Sequence, residues 1–350
     1  PIAILGGWAT GKTSLLYKFR EVAKESDRRI IASRITLDPS TKDLYQFVNI
    51  ILHQLRADGA SITFSKRLKE FFTSFKITVP TPIGEAGLEA VHRAQALPAS
   101  FYFKGSLKNI WMNVAEHGIP AILIMIDEAA VLTKIEGSLE MLRNVFEDLF
   151  MDGCRYMPIV AGRPDLLRSF GEIHSPIARF FHNQMSLRPF TLDEAEELIE
   201  KALQGTSVKF TQSLVEKVWA VSQGHPHFIQ RICRVIYNNR PADVVDATVL
   251  EDFQVRQRIF DEDINPFLEE RFQRASSLEK RLLLSLADAT ESASLKEISA
   301  KAKIEKRIAS QCLSRLMEKD LVERIERGRY QLFHPLFKDF LRQRPGKNSD

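Results

Sequence analysis

The feature that most constrains this chain is a glycine-rich motif near its start, Gly6-x-x-x-x-Gly11-Lys12-Thr13. An apolar run at residues 1–5 precedes the motif, and a helical pattern at residues 14–24 follows it. Glycines at these spacings allow backbone N–H groups to approach phosphate oxygens, and the start of the following helix favours anions. The lysine reaches the terminal phosphates, and the threonine hydroxyl ligates Mg²⁺. The strand–loop–helix context therefore predicts a phosphate-binding P-loop rather than an ordinary glycine-rich turn.

A second motif, Ile122-Leu-Ile-Met-Ile-Asp127-Glu128, is a continuously apolar run that ends in two carboxylates. Unbroken hydrophobicity is typical of a strand that is covered on both faces of a parallel sheet. At the end of such a strand, we expect Asp127 to complete the metal coordination and Glu128 to orient and activate the attacking water. This order of acids indicates a hydrolase, because a kinase would need an acceptor pocket that the sequence does not show.

Strand-like and helix-like segments alternate through the first 190 residues, which predicts an α/β domain with a parallel sheet. The predicted strands are residues 1–5, 29–37, 121–126 and 156–161, and the predicted helices are residues 14–24, 42–55, 107–117 and 139–151. Residues 59–105 show little periodicity and are expected to be an excursion from this domain. Within them, the basic amphipathic piece 64–75 is expected to pack on the core, with a membrane or DNA surface as the alternative.

From residue 191 onward the pattern is mainly helical. The predicted helices are residues 192–203, 211–222, 225–238, 247–260, 277–289, 295–302 and 305–319. A hairpin-like pair, residues 321–325 and 330–333, then flanks Arg327-Gly328-Arg329. The apolar positions expected to form the core of the last three helices are Leu282, Leu283, Leu286, Ile298, Ile308, Leu313, Leu316 and Met317. Together, these last three helices and the hairpin resemble a winged helix-turn-helix.

The motifs resemble those of AAA+-related P-loop ATPases. Residues 6–13 and 122–128 look like the Walker A and Walker B elements, and Val160-Ala-Gly-Arg163-Pro-Asp looks like sensor 1. Gly224-His225-Pro226 is similar to the GxP element of the STAND class, and the origin-recognition initiator ATPases share much of this layout. The resemblance implies an α/β fold with three parts. These are a parallel-sheet P-loop NTPase core at residues 1–190, an α-helical lid at 191–270 and a C-terminal winged helix-turn-helix at 271–345.

The same resemblance implies ATP or ADP and Mg²⁺ as cofactors and gives roles to individual residues. Those expected to contact nucleotide are Gly6, Gly7, Trp8, Ala9, Thr10, Gly11, Lys12, Thr13, Ser14, Asp127, His225 and Pro226, with Thr13 and Asp127 also holding the metal. Those expected to act in catalysis are Lys12, Glu128, Arg163 and Arg179.

Four of these roles keep a structural alternative. Arg163 would touch the γ-phosphate as the sensor 1 arginine, or it is a surface arginine in a turn. Arg179 would act on a neighbouring subunit as an arginine finger, or it only lies on a helix surface. His225 and Pro226 would line the adenine, or they form a loop before a helix. Arg231 and Arg234 are candidates for a sensor 2 arginine, although neither carries a clear motif.

Two interpretations of the C-terminal module remain open. From residue 271 onward, 18 Lys and Arg stand against 11 Asp and Glu, a net charge of +7, whereas the whole chain carries +4. This basic charge fits a DNA-binding winged helix. The residues expected to face DNA are Lys306, Arg307, Ser310, Gln311 and Arg315 on the third helix and Arg327 and Arg329 at the wing tip. Alternatively, the module packs on the core or binds a protein, because Glu305, Glu318, Glu323 and Glu326 dilute its basic face.

These features predict an ATPase that acts as a nucleotide-controlled switch. Its partner would be double-stranded DNA, or else a protein or a further copy of the chain. A third reading is a tight ADP-bound adaptor that hardly turns over. The longest apolar run is too short for a membrane span, and Cys154, Cys233 and Cys312 form no disulfide or zinc pattern, so a cytoplasmic location is expected. The chain opens directly on a strand, so we also expect residues N-terminal to Pro1, which in related ATPases commonly wrap the adenine.

Overall fold

The structure, a computed structural model, describes residues 1–25, 29–61, 65–77, 98–326 and 328–344. The chain divides into two compact units. The first unit comprises Pro1–Gly7 and Gly11–Arg188, and the second comprises Trp8–Thr10 and Pro189–Asp350.

The first unit contains a five-stranded sheet in which every neighbouring pair is parallel. Its strands are β1 (Ile2–Gly6), β2 (Ile31–Thr36), β3 (Ile122–Asp127), β4 (Tyr156–Gly162) and β5 (Asn183–Leu187). Their order across the sheet is β2-β3-β4-β1-β5, so β4 lies between the strand that leads into the P-loop motif and the strand that ends in Asp127. In such sheets, ligands bind at the edge where the carboxyl ends of the strands meet.

Both faces of this sheet are covered. The helices of the first unit are α1 (Lys12–Glu25), α2 (Leu44–Ala60), α3 (Lys66–Ser74), α4 (Ala99–Ala115), a 3₁₀ helix (Ala129–Lys134), α5 (Ser138–Met151), α6 (Leu166–Ile173) and α7 (Ser175–Phe180). Successive residues of β3 enter two different hydrophobic clusters: Ile124 and Ile126 belong to one, and Met125 belongs to the other. The unbroken apolar run of this strand is therefore explained by burial on both sides, as predicted.

Two parts of the first unit differ from the expectations. Strand β5 was not predicted, because its residues Asn183–Leu187 are mostly polar and exposed at the sheet edge. Helix α4 begins at Ala99, inside the stretch expected to be an excursion. Helix α3 packs on the core, as expected, with Leu68 and Phe72 fully buried. Residues 62–64 and 78–97 of the excursion lie outside the described residues.

The second unit is mainly helical. Its helices are α8 (Leu192–Leu203), α9 (Gln212–Ser222), α10 (Pro226–Asn239), a 3₁₀ helix (Ala247–Leu250), α11 (Phe253–Gln257), a π-helix (Arg258–Ile264), α12 (Asn265–Gln273), α13 (Ser277–Ala287), α14 (Leu295–Lys301), α15 (Lys306–Glu318) and α16 (Pro335–Gln343). Short strands β6 (Lys209–Phe210) and β7 (Val244–Val245) pair in parallel. Strands β8 (Ala293–Ser294), β9 (Val322–Glu326) and β10 (Arg329–Leu332) form an antiparallel sheet in the order β8-β10-β9.

Local sequence explains where several of these helices begin. Capping boxes start α8, α13 and α14, in which the hydroxyls of Thr191, Ser276 and Ser294 accept from the backbone of a glutamate three residues later. Residues 247–260, expected to form one helix, instead comprise the 3₁₀ helix, α11 and the start of the π-helix. Asp252 interrupts the run because its side chain caps α11 by accepting from the N–H of Val255.

One continuous hydrophobic cluster runs through the second unit, from Ala195 on α8 to Leu341 on α16. Within the C-terminal module, α15 contributes Ala309, Cys312, Leu313 and Leu316 to this core, whereas Ile308, expected to be buried, is 39% exposed. The helices α13–α15 precede the antiparallel hairpin β9–β10, and the assignment of these elements to a winged helix stays a prediction. Across the residues that the structure describes, none of the helices combines the length and hydropathy needed to span a bilayer.

Candidate nucleotide-binding site

The two sequence motifs and the sensor-like segment meet at one edge of the first unit's sheet. β1 ends at Gly6, β3 at Asp127 and β4 at Gly162, and the three strands are parallel neighbours. The turn after β4 therefore lies between the P-loop motif and the two carboxylates. This is the edge at which an open parallel sheet binds its ligand.

Lys12 is the first residue of α1 and folds back over the loop that precedes it. Its Nζ atom donates to the carbonyl oxygens of Gly6 and Gly7, at 2.9 and 2.7 Å. Gly11 has a φ of +94°, a conformation that side-chain-bearing residues rarely adopt. A loop that leads into the start of a helix in this way is an arrangement that favours anions.

Thr13 and Asp127 come together although 114 residues separate them. The Thr13 hydroxyl donates to Asp127 Oδ2 at 2.9 Å, and Asp127 is only 1% exposed. Because the hydroxyl gives its hydrogen to the carboxylate, both lone pairs of Oγ1 remain available to a cation. A hydroxyl oxygen and one buried carboxylate are hard oxygen donors of the kind Mg²⁺ takes beside phosphate groups. The residues present therefore fit a magnesium site.

Arg34 on β2 is a third member of this cluster, and the sequence analysis did not identify it. Its Nε and Nη2 atoms donate to Asp127 Oδ2 at 3.1 and 2.7 Å. The guanidinium lies 4.5 Å from the ring centre of Tyr17, and Nη1 donates to the Tyr17 hydroxyl at 3.1 Å. The available signal was a lone arginine within the otherwise uncharged strand Ile31–Thr36.

Glu128 follows β3 in a left-handed backbone conformation, with φ 51° and ψ 42°. Its N–H donates to Asp127 Oδ1 at 3.1 Å, and its side chain is exposed. Non-glycine residues in this region of φ and ψ carry backbone strain, and such strain concentrates at functional sites. The strained turn separates the buried carboxylate of Asp127 from the accessible carboxylate of Glu128.

The two other predicted catalytic residues also lie in the first unit. Arg163 is half-buried in the turn after β4, where Nη2 contacts Asp165 Oδ2 at 3.2 Å. Arg179 is exposed on the short helix α7. These positions do not distinguish the expected catalytic roles from the structural alternatives, so both roles stay predictions.

Trp8, although part of the P-loop motif, belongs to the second unit. Its indole stacks on Phe267 with a centroid distance of 5.0 Å and meets His227 and Phe333 edge-on, at 5.1 and 5.6 Å. The guanidinium of Arg271 lies 4.2 Å from its ring centre. Among the neighbouring motif residues, Ala9 has a φ of 60°, Thr10 is buried and Ser14 is exposed in the first turn of α1.

His225 and Pro226 lie at the start of α10, where Pro226 is buried and His225 is half-buried. The His225 ring packs edge-on against His334 at 4.8 Å, its Nδ1 atom is buried without a hydrogen-bond partner among the described residues, and burial lowers its pKa. His334 accepts from the N–H of Leu336 through Nδ1 at 3.0 Å, so Nε2 carries the proton and donates to the carbonyl of Ser222 at 2.9 Å. Burial lowers the pKa of His334 to about 4.

The two sensor 2 candidates on α10 are both bonded within the second unit. Arg231 pairs with Asp263 and also donates from Nε to His227 at 2.8 Å. Arg234 pairs with the other carboxylate oxygen of Asp263 at 2.5 Å. These contacts with Asp263 and His227 do not test a sensor 2 role for either arginine, and that role stays a prediction.

The predicted DNA-facing residues of α15 share its exposed surface. Lys306, Arg307, Gln311 and Arg315 are exposed, and Ser310 is half-buried. Arg329 is exposed on β10, where Nε contacts Ser292 Oγ at 3.2 Å and Glu326 at 3.6 Å. Arg327 lies outside the described residues.

Comparisons with known proteins support the fold described above. The domain of unknown function DUF8462 matches residues 265–341, and no curated protein sequence matches the chain. The structure is similar to the Walker-type ATPase PABY2304 of Pyrococcus abyssi, with a TM-score of 0.63 and 16% identity over 97% of this chain and 90% of that one. It is also similar to the ORC2 protein of Aeropyrum pernix in its ADPNP–ADP complexes, with a TM-score of 0.56 and 14% identity over 97% and 87%. The ADP form of that protein gives a TM-score of 0.51 and 13% identity over the same shares.

At these identities the likeness is one of fold. The chain shares the α/β fold of these solved structures, a Walker-type ATPase and an ORC2 protein. The resemblance stated from the sequence is confirmed at this level.

Proposed function

We propose that this chain is a Mg²⁺-dependent ATPase of the AAA+/STAND type that works as a nucleotide-controlled switch on double-stranded DNA. The observation that carries the ATPase part is the contact between Thr13 and Asp127 at 2.9 Å, at the edge where β1 and β3 end. It joins the two motifs into one site of the composition that P-loop ATPases require. Similar structures include an ATPase and a protein described with ADPNP and ADP.

Each residue of this site has a chemical task in the proposal. The N–H groups of the loop and Lys12 bind the phosphates, and Thr13 and Asp127 hold the metal. A magnesium ion held by these two residues would neutralise negative charge on the phosphates. The exposed carboxylate of Glu128 orients the attacking water and accepts its proton. Arg163 donates to the γ-phosphate, and its position after β4, between β1 and β3, supports that role.

The DNA part of the proposal rests on the surface of α15. Its inner side holds apolar core residues, whereas Lys306, Arg307, Gln311 and Arg315 are exposed. An exposed helix face with three cations and an amide suits the phosphates and base edges of a major groove. We place the switch in the cytoplasm, and the free cysteines Cys154, Cys233 and Cys312 are compatible with a reducing compartment.

A protein partner is the second candidate, and one observation favours it. Ile308 on α15 and Ile325 on β9 are 39% and 55% exposed, and apolar side chains on a basic module suit a protein surface better than DNA. In this alternative, the same cycle of ATP binding and hydrolysis controls whether the C-terminal module binds a protein.

The experiment that tests the proposal titrates duplex DNA of mixed sequence against ATP-loaded and ADP-loaded protein over a range of salt. We expect nucleotide-dependent, salt-sensitive binding that Arg307→Ala/Arg315→Ala weakens, with the salt slope lowered by roughly one per lost phosphate contact. Lys42→Ala/Arg155→Ala removes the same charge from exposed positions of the first unit and should leave binding unchanged. Absence of binding at low salt would overturn the DNA part and favour the protein-facing module.

A further inference from the structure

We propose that Arg34 competes with Mg²⁺ for Asp127 and thereby sets the Mg²⁺ concentration at which the protein binds nucleotide. The inference rests on the proposed function, because it concerns the same site. It assigns a positioning role to an arginine on a neighbouring strand that no sequence motif includes.

The hydrogen bonds of Asp127 are the first argument. Its Oδ2 atom accepts from Thr13 Oγ1 at 2.9 Å and from two nitrogens of Arg34 at 3.1 and 2.7 Å. Its Oδ1 atom accepts from the N–H of Glu128 at 3.1 Å. A carboxylate oxygen offers about two lone-pair positions, so protein donors already use the capacity of Oδ2. A metal ion or a metal-bound water can take that oxygen only if Arg34 gives it up.

Charge is the second argument. Asp127 is buried, and a buried carboxylate needs a counter-charge. Arg34, whose side chain is 17% exposed, supplies one positive charge, and a magnesium ion would supply two at the same carboxylate. Two cations next to one carboxylate repel each other, and the repulsion is weakly screened away from bulk water. Arg34 therefore opposes metal binding at this site.

Arg34 also contacts Tyr17. Its guanidinium lies over the Tyr17 ring and donates to the Tyr17 hydroxyl. Tyr17 is on α1, one turn after Thr13, and is 48% exposed. Arg34 can leave Asp127 while keeping its contact with this aromatic ring, so it can be displaced without becoming buried and unpaired.

The test measures the Mg²⁺ concentration that gives half-maximal binding of a fluorescent ADP analogue. Arg34→Gln should lower that concentration by roughly tenfold, the order expected when a like charge beside a partly buried cation site is removed. Arg34→Lys keeps the positive charge but loses the planar guanidinium that donates two hydrogen bonds to Asp127. Its half-maximal Mg²⁺ concentration should therefore lie closer to that of the wild type. Binding of Mn²⁺ in the presence of ADP can be monitored by electron paramagnetic resonance. It should rank the wild type and the two variants in the same order of metal affinity, without any turnover.

Arg20→Gln is the matched control. Arg20 on α1 pairs with Asp58, another nearly buried carboxylate of the first unit, so its loss perturbs folding similarly. That variant should retain the wild-type Mg²⁺ dependence. An unchanged or raised Mg²⁺ requirement in Arg34→Gln, with nucleotide still bound, overturns the inference alone. A wild-type protein that binds no nucleotide at any Mg²⁺ concentration overturns the proposed function as well, and the two failures are therefore distinguishable.

Discussion

The guanidinium of Arg271 lies 4.2 Å from the ring centre of Trp8, and its Nη2 atom donates to the carbonyls of Lys319 and Asp320, both at 3.0 Å. These two carbonyls follow the last residue of α15. Arg271 is buried, and burial lowers its pKa to about 10, so it keeps its charge at neutral pH. One arginine thus joins the tryptophan of the P-loop motif to the end of the helix whose exposed face is basic.

Trp8→Ala should lower the free energy of unfolding of the second unit. The indole fills a place among Phe267, His227 and Phe333, and removing it leaves a cavity and an unstacked arginine. Because Trp8 is half-buried, we expect a loss of about 2 kcal/mol, below the 3–5 kcal/mol typical of a fully buried ring. Urea unfolding, monitored by circular dichroism, measures this loss of stability. The control variant Trp8→Phe should retain most of the wild-type stability. Equal stability of Trp8→Ala and wild type would contradict this packing of the indole.

His334 should make the stability of the protein fall in mild acid. Its pKa is about 4 in the folded chain, lowered first by burial, against an ordinary value of 6.5. Between these two pH values the unfolded chain binds a proton that the folded chain does not, so stability is complete above about pH 6.5 and declines towards pH 4. The slope from this histidine alone is about 1.4 kcal/mol per pH unit.

The measurement compares urea unfolding of wild type and His334→Gln from pH 4.5 to 7.5. Glutamine can still accept from Leu336 and donate to Ser222 but does not titrate in this range. The variant should therefore show a flatter pH dependence, whereas His182→Gln, at an exposed position, should keep the wild-type slope. Identical slopes for wild type and His334→Gln would exclude His334 as the source.

Lys12→Ala and Glu128→Gln should separate nucleotide binding from hydrolysis. Lys12→Ala removes the amine that we propose binds the phosphates, so ATP affinity should fall by about tenfold or more. Glu128→Gln leaves the buried contacts of Asp127 in place, so ATP should bind normally while turnover falls by about a hundredfold or more. Equilibrium binding and phosphate release measure the two effects. Normal turnover in Glu128→Gln would remove this residue from the water-activating role.

Arg179→Ala tests whether the chain acts across subunits. Arg179 is exposed on α7, where an arginine finger would reach a neighbouring copy. If it does, Arg179→Ala and Glu128→Gln should each be inactive alone and should regain part of the activity when mixed. No recovery at any mixing ratio, together with a monomeric mass in solution, would indicate that Arg179 lies only on a helix surface.

The sequence predicted those parts of the site that are local in the chain. The P-loop motif and the apolar run before Asp127 are short patterns whose chemistry depends on a few adjacent residues, and their strands formed as expected. The contact of Arg34 with Asp127 spans 93 residues and depends on the parallel register of β2 and β3, in which Thr36 lies beside Asp127. No pattern within β2 reveals that register. The packing of Trp8 was missed for the same reason, because its partners Phe267 and Phe333 lie far along the chain.

Gly11→Ala should weaken nucleotide binding through the backbone alone. An added Cβ at Gly11 would meet nothing within 4 Å, so the substitution causes no clash, but the φ of +94° is unfavourable for alanine. The strain should cost about 1 kcal/mol or more and should shift the loop that we propose binds the phosphates. Gly105 is the matched control, because it also has open space around it but lies within helix α4. Gly105→Ala should therefore raise stability, by up to about 1 kcal/mol, and leave ADP affinity unchanged, since alanine favours a helix over glycine. Equal ADP affinity in Gly11→Ala and Gly105→Ala would mean that the left-handed turn at Gly11 does not shape the phosphate site.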